Sequence, residues 1–160
     1  MTGKTHLVGG IAASLAVSYG ISENPFIIAT AGIVGALLPD ICHSGSKIGR
    51  QFPFLSKLIN LLFGHRTVTH SLLFLVLISL ITDQIFSGDL IKYGLLAGMI
   101  SHYLLDMATH NGIRLFFPLP IIIRFPITVK TGGRIEKFFL SILTLVCWYY
   151  IFKYIAWFYL

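Results

Sequence analysis

The chain has 160 residues, of which 56% are hydrophobic and only 11% carry a formal charge. A soluble protein typically carries about 25% charged residues, so the composition excludes an ordinary soluble domain and predicts one integral membrane domain over residues 1–160. The net charge of +6 does not imply a nucleic-acid partner, and we expect none, because lysine and arginine also mark the cytoplasmic side of membrane proteins and attract anionic lipid headgroups.

Apolar windows along the chain predict the membrane-spanning helices. A spanning helix needs about 20 mainly apolar residues. The sequence therefore predicts an all-α integral membrane protein with about five transmembrane helices, over residues 5–21, 25–41, 68–87, 90–110 and 135–158.

Two segments between these windows have other patterns. Residues 54–63 repeat apolar side chains at helical spacing, with Lys57 and Asn60 on another face, which predicts a short helix lying in the membrane interface. Residues 113–128 contain three prolines, which are incompatible with a regular helix. For this segment we expect an extended or hairpin structure on the cytoplasmic side.

The distribution of basic residues predicts the orientation. With the N-terminus in the cytoplasm, Lys92 falls on the far side and Lys153 near the end of the last span, whereas the other ten basic residues lie on the cytoplasmic side. This asymmetry favours a multi-pass protein whose N-terminus faces the cytoplasm. The ten residues are Lys4, Lys47, Arg50, Lys57, Arg66, Arg114, Arg124, Lys130, Arg134 and Lys137.

The histidines collect at the same membrane face. His102, Asp106 and His110 are spaced four and four, so a helix would place them within about 80° of arc. Imidazole nitrogens and carboxylate oxygens are ligands of divalent metals, and ionisable groups within a membrane are costly and usually functional. We therefore predict one or two divalent ions, with zinc as the first choice and manganese or iron as alternatives. The candidate ligands are His6, Asp40, His43, His65, His70, His102, Asp106 and His110.

Five motifs occur in order: "THLVGG", "LLPDICH", "GHRTVTHS", "SHYLLDMATHNG" and "TGGRIEK". With them the chain resembles the bacterial family of inner-membrane, metal-dependent hydrolases, some members of which are regulated by the LexA repressor. The resemblance extends over essentially the whole chain and implies metal-dependent hydrolysis in the bacterial cytoplasmic membrane. Its polar motif falls on the eight candidate ligands, and Glu136 matches a frequent acidic position. Cys42 stands where that family often has an acid.

These observations predict a membrane-embedded metal-dependent hydrolase. A metal-activated water would attack a lipid-type ester or phosphoester at the cytoplasmic face, with a membrane lipid as the substrate. Asp40 or Glu136 would act as general base. Arg66, with Arg114 or Arg134, would hold a substrate phosphate or the developing oxyanion.

Two other functions are compatible with the same residues. One is a non-enzymatic membrane module that binds or transports metal. The other is a di-iron membrane oxidase, although such enzymes typically use about eight histidines in closely spaced pairs and this chain has six. The oligomeric state is not determined by the sequence.

Overall fold

A computed structural model of the chain describes the backbone of residues 1–159 and the side chains of residues 1–156. Leu160, the last residue of the domain predicted over residues 1–160, lies outside the described residues. Across residues 1–159 the structure is all-helical and has no β-strand. Its elements in chain order are α1 (Gly3–Ile21), α2 (Pro25–Leu37), a 3₁₀ turn named the Asp40 turn (Leu38–Cys42), α3 (Lys47–Gln51), α4 (Pro53–Phe63), a second 3₁₀ turn named the His70 turn (Val68–His70), α5 (Leu72–Ile85), α6 (Asp89–Met107) and α7 (Arg134–Tyr159).

Helix α2 has clear signals at both ends. The Asn24 side chain accepts hydrogen bonds from the backbone N–H groups of Phe26 and Ile27, and Pro25 occupies the first helical position. At the other end, Pro39 lacks the N–H that an α-helix needs, and the chain tightens into the Asp40 turn. This turn contacts the His70 turn and α6, so the end of α2 is held beside the other polar segments.

Helix α2 packs against α1 and α6 to form the centre of the molecule. The α2–α6 contact is close because glycines lie where the backbones meet. A Cβ atom at Gly35 would overlap the backbone of Leu95, and one at Gly98 would overlap the carbonyl oxygen of Gly32. Helix α7 covers the outer side of α1, where Tyr154 donates a hydrogen bond to Ser18 Oγ at 2.7 Å.

The prediction of about five transmembrane helices is wrong. Among the described residues, only Pro25–Cys42 and Arg134–Ala156 are long and apolar enough to cross a membrane. Helix α5 has 14 residues, about 21 Å, which is short of the roughly 30 Å hydrocarbon core. Helices α1 and α6 are longer but too polar, because they bury polar side chains inside the bundle, including His6 and Ser14 on α1 and His102 and Asp106 on α6.

The two segments between the predicted spans lie near the polar end of the bundle. Helix α4 presents exposed apolar side chains, with Phe54 and Leu61 more than 80% exposed, and contacts the Asp40 turn. Residues 113–128 form no paired strands within the described chain. The segment is held by an isolated antiparallel bridge between Ile113 and Ile123, because its prolines cannot supply a continuous ladder.

Candidate metal centre

Five of the eight predicted ligands meet inside the bundle. His6 comes from α1, Asp40 and His70 come from the two 3₁₀ turns, and α6 supplies His102 and Asp106. Four of these side chains are almost completely buried, whereas Asp40 is 19% exposed. The cluster is therefore screened from water except on the side of Asp40.

The protonation of His102 follows from its hydrogen bond. Its Nδ1 lies 2.7 Å from the carbonyl oxygen of Ala36, which can only accept, so Nδ1 carries the proton and donates. The lone pair of Nε2 then faces the cluster, 3.2 Å from Nε2 of His70. A backbone carbonyl that orients one imidazole nitrogen while the other faces an ion is a common feature of metal sites.

The donor atoms are spaced as zinc ligands are. Tetrahedral ligands about 2.0–2.1 Å from zinc lie roughly 3.3 Å apart. Here the His70 Nε2 to His102 Nε2 distance is 3.2 Å, and Asp106 Oδ2 lies 3.6 Å and 3.7 Å from these two nitrogens. Asp40 Oδ1 is 3.8 Å from both nitrogens. His70, His102 and Asp106 therefore fit a divalent ion with small movements of their side chains, and Asp40 lies beside them.

Asp106 contacts several nitrogen atoms. Its Oδ1 contacts the amino group of Met1 and lies 3.2 Å from His6 Nε2, and its Oδ2 lies 2.9 Å from Nη2 of Arg66. Yet within the described part of the chain Oδ2 is buried and accepts no well-aligned hydrogen bond. A buried carboxylate oxygen in that position is a suitable metal ligand.

Arg66 lies between this cluster and the surface. Its Nη1 donates to Thr109 Oγ1 at 3.0 Å, in addition to the ion pair with Asp106. Its backbone has a φ of +62°, a conformation that costs a residue with a side chain about 1 kcal/mol or more and is concentrated at functional sites. The contacts with Asp106 and Thr109 hold the guanidinium in place although the backbone conformation is unfavourable.

The pKa of His70 depends on its burial and on two neighbouring side chains. Burial by itself lowers the pKa of His70, but the hydrogen bonds and charges of Asp106 and Cys42 outweigh it and raise this pKa above its ordinary value. An ion at His70 would bind the neutral imidazole, so metal affinity at this residue depends on pH.

Two candidate triplets share His102. One contains His6, Asp40 and His102, and the other contains His70, His102 and Asp106. Since Nδ1 of His102 is committed to Ala36, only one lone pair of His102 is available. The two triplets therefore compete for the same nitrogen, and His102 can serve a single ion.

The other three predicted ligands lie outside the cluster, although the ring centroid of His65 is 5.8 Å from that of His70. His43 and His65 are exposed, with ring centroids 4.9 Å apart, and His65 Nδ1 lies 3.1 Å from Cys42 Sγ. His110 is exposed and its Nδ1 lies 2.6 Å from Thr128 Oγ1. It does not join the helical stripe of His102 and Asp106, because α6 ends at Met107.

A cavity of about 800 Å³ opens beside the cluster. Of the three arginines predicted to bind phosphate, Arg66 lines it, whereas Arg114 and Arg134 are exposed outside its lining. Sequence reasoning missed four other basic residues in its wall, because their positions were explained by membrane orientation alone. These residues are Lys4, Lys47, Arg50 and Lys137.

Glu136 also lines the cavity, but its carboxylate is occupied. Oε1 accepts hydrogen bonds at 2.6 Å from the backbone N–H of Thr2 and from Thr5 Oγ1, and Oε2 accepts one at 2.6 Å from the backbone N–H of Gly132. These bonds tie the start of α1 to the start of α7. The geometry favours an anchoring role for Glu136, and its predicted role as general base stays a prediction.

Glu136→Gln is expected to lower the free energy of unfolding by about 2 kcal/mol, since it weakens hydrogen bonds to a buried carboxylate and turns an NH₂ group toward a donor. Thermal unfolding of the detergent-solubilised protein measures this. Glu23→Gln, at an exposed carboxylate, is the control and should change little. Unchanged stability in Glu136→Gln would contradict the anchoring role.

Comparison with known proteins identifies relatives along almost the whole chain. The family model described as "YdjM inner membrane protein" matches residues 1–159. The uncharacterized protein YvsG of Bacillus subtilis (strain 168) is 51% identical over 150 residues, which cover 94% of each chain. The inner membrane protein YdjM of Escherichia coli (strain K12) is 37% identical over 117 residues, covering 69% of this chain and 60% of that protein. No solved structure matches the chain.

These names support the predicted inner-membrane location. They state no reaction, so the hydrolase function implied by the earlier resemblance remains a prediction. With a family match over residues 1–159 and relatives at this level of identity, the chain belongs to the YdjM inner membrane protein family.

Proposed function

We propose that this chain is a metal-dependent hydrolase that cleaves a lipid-type phosphoester at the cytoplasmic face of the membrane. The observation that carries the proposal is the buried cluster of His70, His102 and Asp106 beside the partly exposed Asp40. It combines donors that fit one divalent ion with an open cavity.

The residues that would hold the ion are His70, His102 and Asp106, and the alternative set of His6, Asp40 and His102 would use the same nitrogen of His102. Zinc is the first choice, and manganese or iron accept the same donors. A bound divalent ion would supply a nucleophile at neutral pH by lowering the pKa of its water, and would polarise a phosphoryl oxygen.

Asp40 and Arg66 would perform the remaining chemistry. Asp40 reaches both the cluster and the cavity, so its carboxylate can accept a proton from the attacking water as general base. Arg66, held by Asp106 and Thr109, faces the cavity and can stabilise the negative charge that develops on the phosphoryl oxygens.

The surroundings favour a lipid at the cytoplasmic face. The cavity wall carries more lysine and arginine side chains than carboxylates, so it would attract the anionic headgroups of membrane lipids. Helix α4, with its exposed Phe54 and Leu61, is tied to the site by a hydrogen bond of 2.9 Å from Asn60 Nδ2 to the carbonyl oxygen of Cys42. An amphipathic helix in the interface would place the cavity at headgroup level.

Release of phosphate tests the proposal. The purified protein, loaded in turn with Zn²⁺, Mn²⁺ and Fe²⁺, is incubated with phosphomonoester, diphosphate and phosphodiester lipids, and free phosphate and lipid products are measured. We expect metal-dependent cleavage of at least one of these lipids, with Asp40→Asn at least about 100-fold slower because it removes the general base.

His110→Gln is the matched control and should retain full activity, since His110 is exposed and bonded to Thr128 outside the cluster. If fully metal-loaded wild-type protein cleaves none of these lipids, the hydrolase proposal fails and a non-enzymatic metal-binding module is favoured.

A further inference from the structure

The cavity beside the metal cluster has a wall of basic side chains on fixed segments. Its volume of about 800 Å³ lies within the range of small-molecule sites. The basic residues in its lining are Lys4 on α1, Lys47 and Arg50 on α3, Arg66 before the His70 turn and Lys137 on α7.

Positive charge in this cavity exceeds what its own acids can neutralise. Among the described residues, the carboxylates that line it are those of Asp40, which lies beside the metal cluster, and Glu136, which is bonded to three donors. Lys4, Lys47, Arg50 and Lys137 form no ion pair with any described carboxylate. By contrast, Lys92 on α6 is paired with Asp83 and Asp89 at 2.7 and 2.9 Å.

Hydrogen bonds fix the side of the wall formed by α3. Ser46 Oγ donates to the carbonyl oxygen of Asp40 at 2.8 Å and accepts from the backbone N–H of Gly49 at 2.9 Å. Gly49 lies so close to His43 that a Cβ atom there would overlap the carbonyl oxygen of His43. The short helix with Lys47 and Arg50 is thereby held against the residue that also reaches the metal cluster.

Glu136 holds another part of the wall in place. Lys4 lies between Thr2 and Thr5, both bonded to the Glu136 carboxylate, and Lys137 is the next residue after Glu136. The same anchor thus brings both lysines to one side of the cavity. A positive residue that only marks the cytoplasmic side needs no such arrangement, because its effect does not depend on its exact position.

We propose that this basic wall binds a phosphate group carrying two or more negative charges, so that the substrate class is a phosphomonoester or a diphosphate. The inference rests on the proposed function for the position of the scissile group beside the metal cluster. A neutral carboxyl ester or a singly charged phosphodiester would leave most of the wall uncompensated, whereas a dianion can accept several charge-assisted hydrogen bonds.

Binding of inorganic pyrophosphate to the full-length protein in detergent micelles tests the inference without any need for catalysis. Isothermal titration calorimetry is done on the Asp40→Asn background, in which turnover is expected to be slow. We expect the double variant Lys47→Ala/Arg50→Ala to bind pyrophosphate at least tenfold more weakly. Lys57→Ala is the matched control, because Lys57 is an exposed basic residue on the neighbouring α4 outside the cavity lining, and its affinity should stay within twofold.

Nanodiscs that contain either a lipid phosphomonoester or a neutral lipid identify the source of the phosphate. Displacement of pyrophosphate by the lipid phosphomonoester alone supports a headgroup, and displacement only by soluble phosphomonoesters supports a free phosphate compound. Equal pyrophosphate affinity in wild type, Lys47→Ala/Arg50→Ala and Lys57→Ala overturns the inference. The hydrolase proposal fails separately, if pyrophosphate binds as expected but metal-loaded protein cleaves nothing.

Discussion

His102→Ala is expected to reduce the bound metal to less than one tenth of the wild-type content. The Nε2 atom of His102 belongs to both candidate triplets, so removing it leaves neither complete. The substitution also removes Nδ1, whose hydrogen bond to the carbonyl oxygen of Ala36 orients the ring. Elemental analysis of protein purified from metal-supplemented cells measures the content per chain.

His110→Ala is the matched control for this experiment, because it removes an exposed imidazole three residues beyond the end of α6. It should retain the wild-type metal content. His6→Ala distinguishes the two triplets. If the ion is held by His70, His102 and Asp106, this variant should keep it, whereas an ion held by His6, Asp40 and His102 should be lost. Wild-type metal content in His102→Ala would refute the centre described above.

Gly98→Ala is expected to destabilise the protein by about 3 kcal/mol, a large effect for one methyl group. The new Cβ would overlap the carbonyl oxygen of Gly32, and backbone atoms cannot move aside as a flexible side chain can. Helices α2 and α6 must then separate. Gly98 precedes His102 by about one turn, so the separation should also weaken metal binding by displacing His102 from Ala36.

Gly20→Ala controls for the intrinsic preference of alanine for helices. A Cβ atom at Gly20 meets no other atom within 4 Å among the described residues, so this variant should be neutral or more stable by up to about 1 kcal/mol. Thermal unfolding of both variants in the same detergent gives the comparison. Equal midpoints for Gly98→Ala and Gly20→Ala would show that the α2–α6 contact is looser than described.

The polar cluster shows which site features could be predicted from the sequence. His102 and Asp106 were expected on one helical face from their spacing alone, and α6 places both in the cluster. His110 continues that spacing but lies outside, because the helix ends before it. Periodicity describes neighbours on a helix, but it does not determine where the helix stops.

The cavity wall shows what the sequence concealed. Lys47 and Arg50 were assigned only an orientation role, because no local pattern connects them with Asp40. The connection is a hydrogen bond from Ser46 to a backbone carbonyl, which depends on how the chain turns after α2. The carbonyl group that orients His102 could not be predicted either. Every residue has a backbone carbonyl, and the alanine side chain does not indicate that the one at Ala36 accepts this hydrogen bond.

The sequence by itself determined the membrane class, the helical character and the collection of histidines and carboxylates toward one end, because composition and periodicity are local properties of the chain. Only the tertiary structure decided that, among the described residues, two segments rather than five are long and apolar enough to cross a membrane, since burial of polar side chains inside the bundle makes α1 and α6 too polar. It also decided which five ligand-type residues meet and which basic residues face them, because both depend on contacts between distant segments.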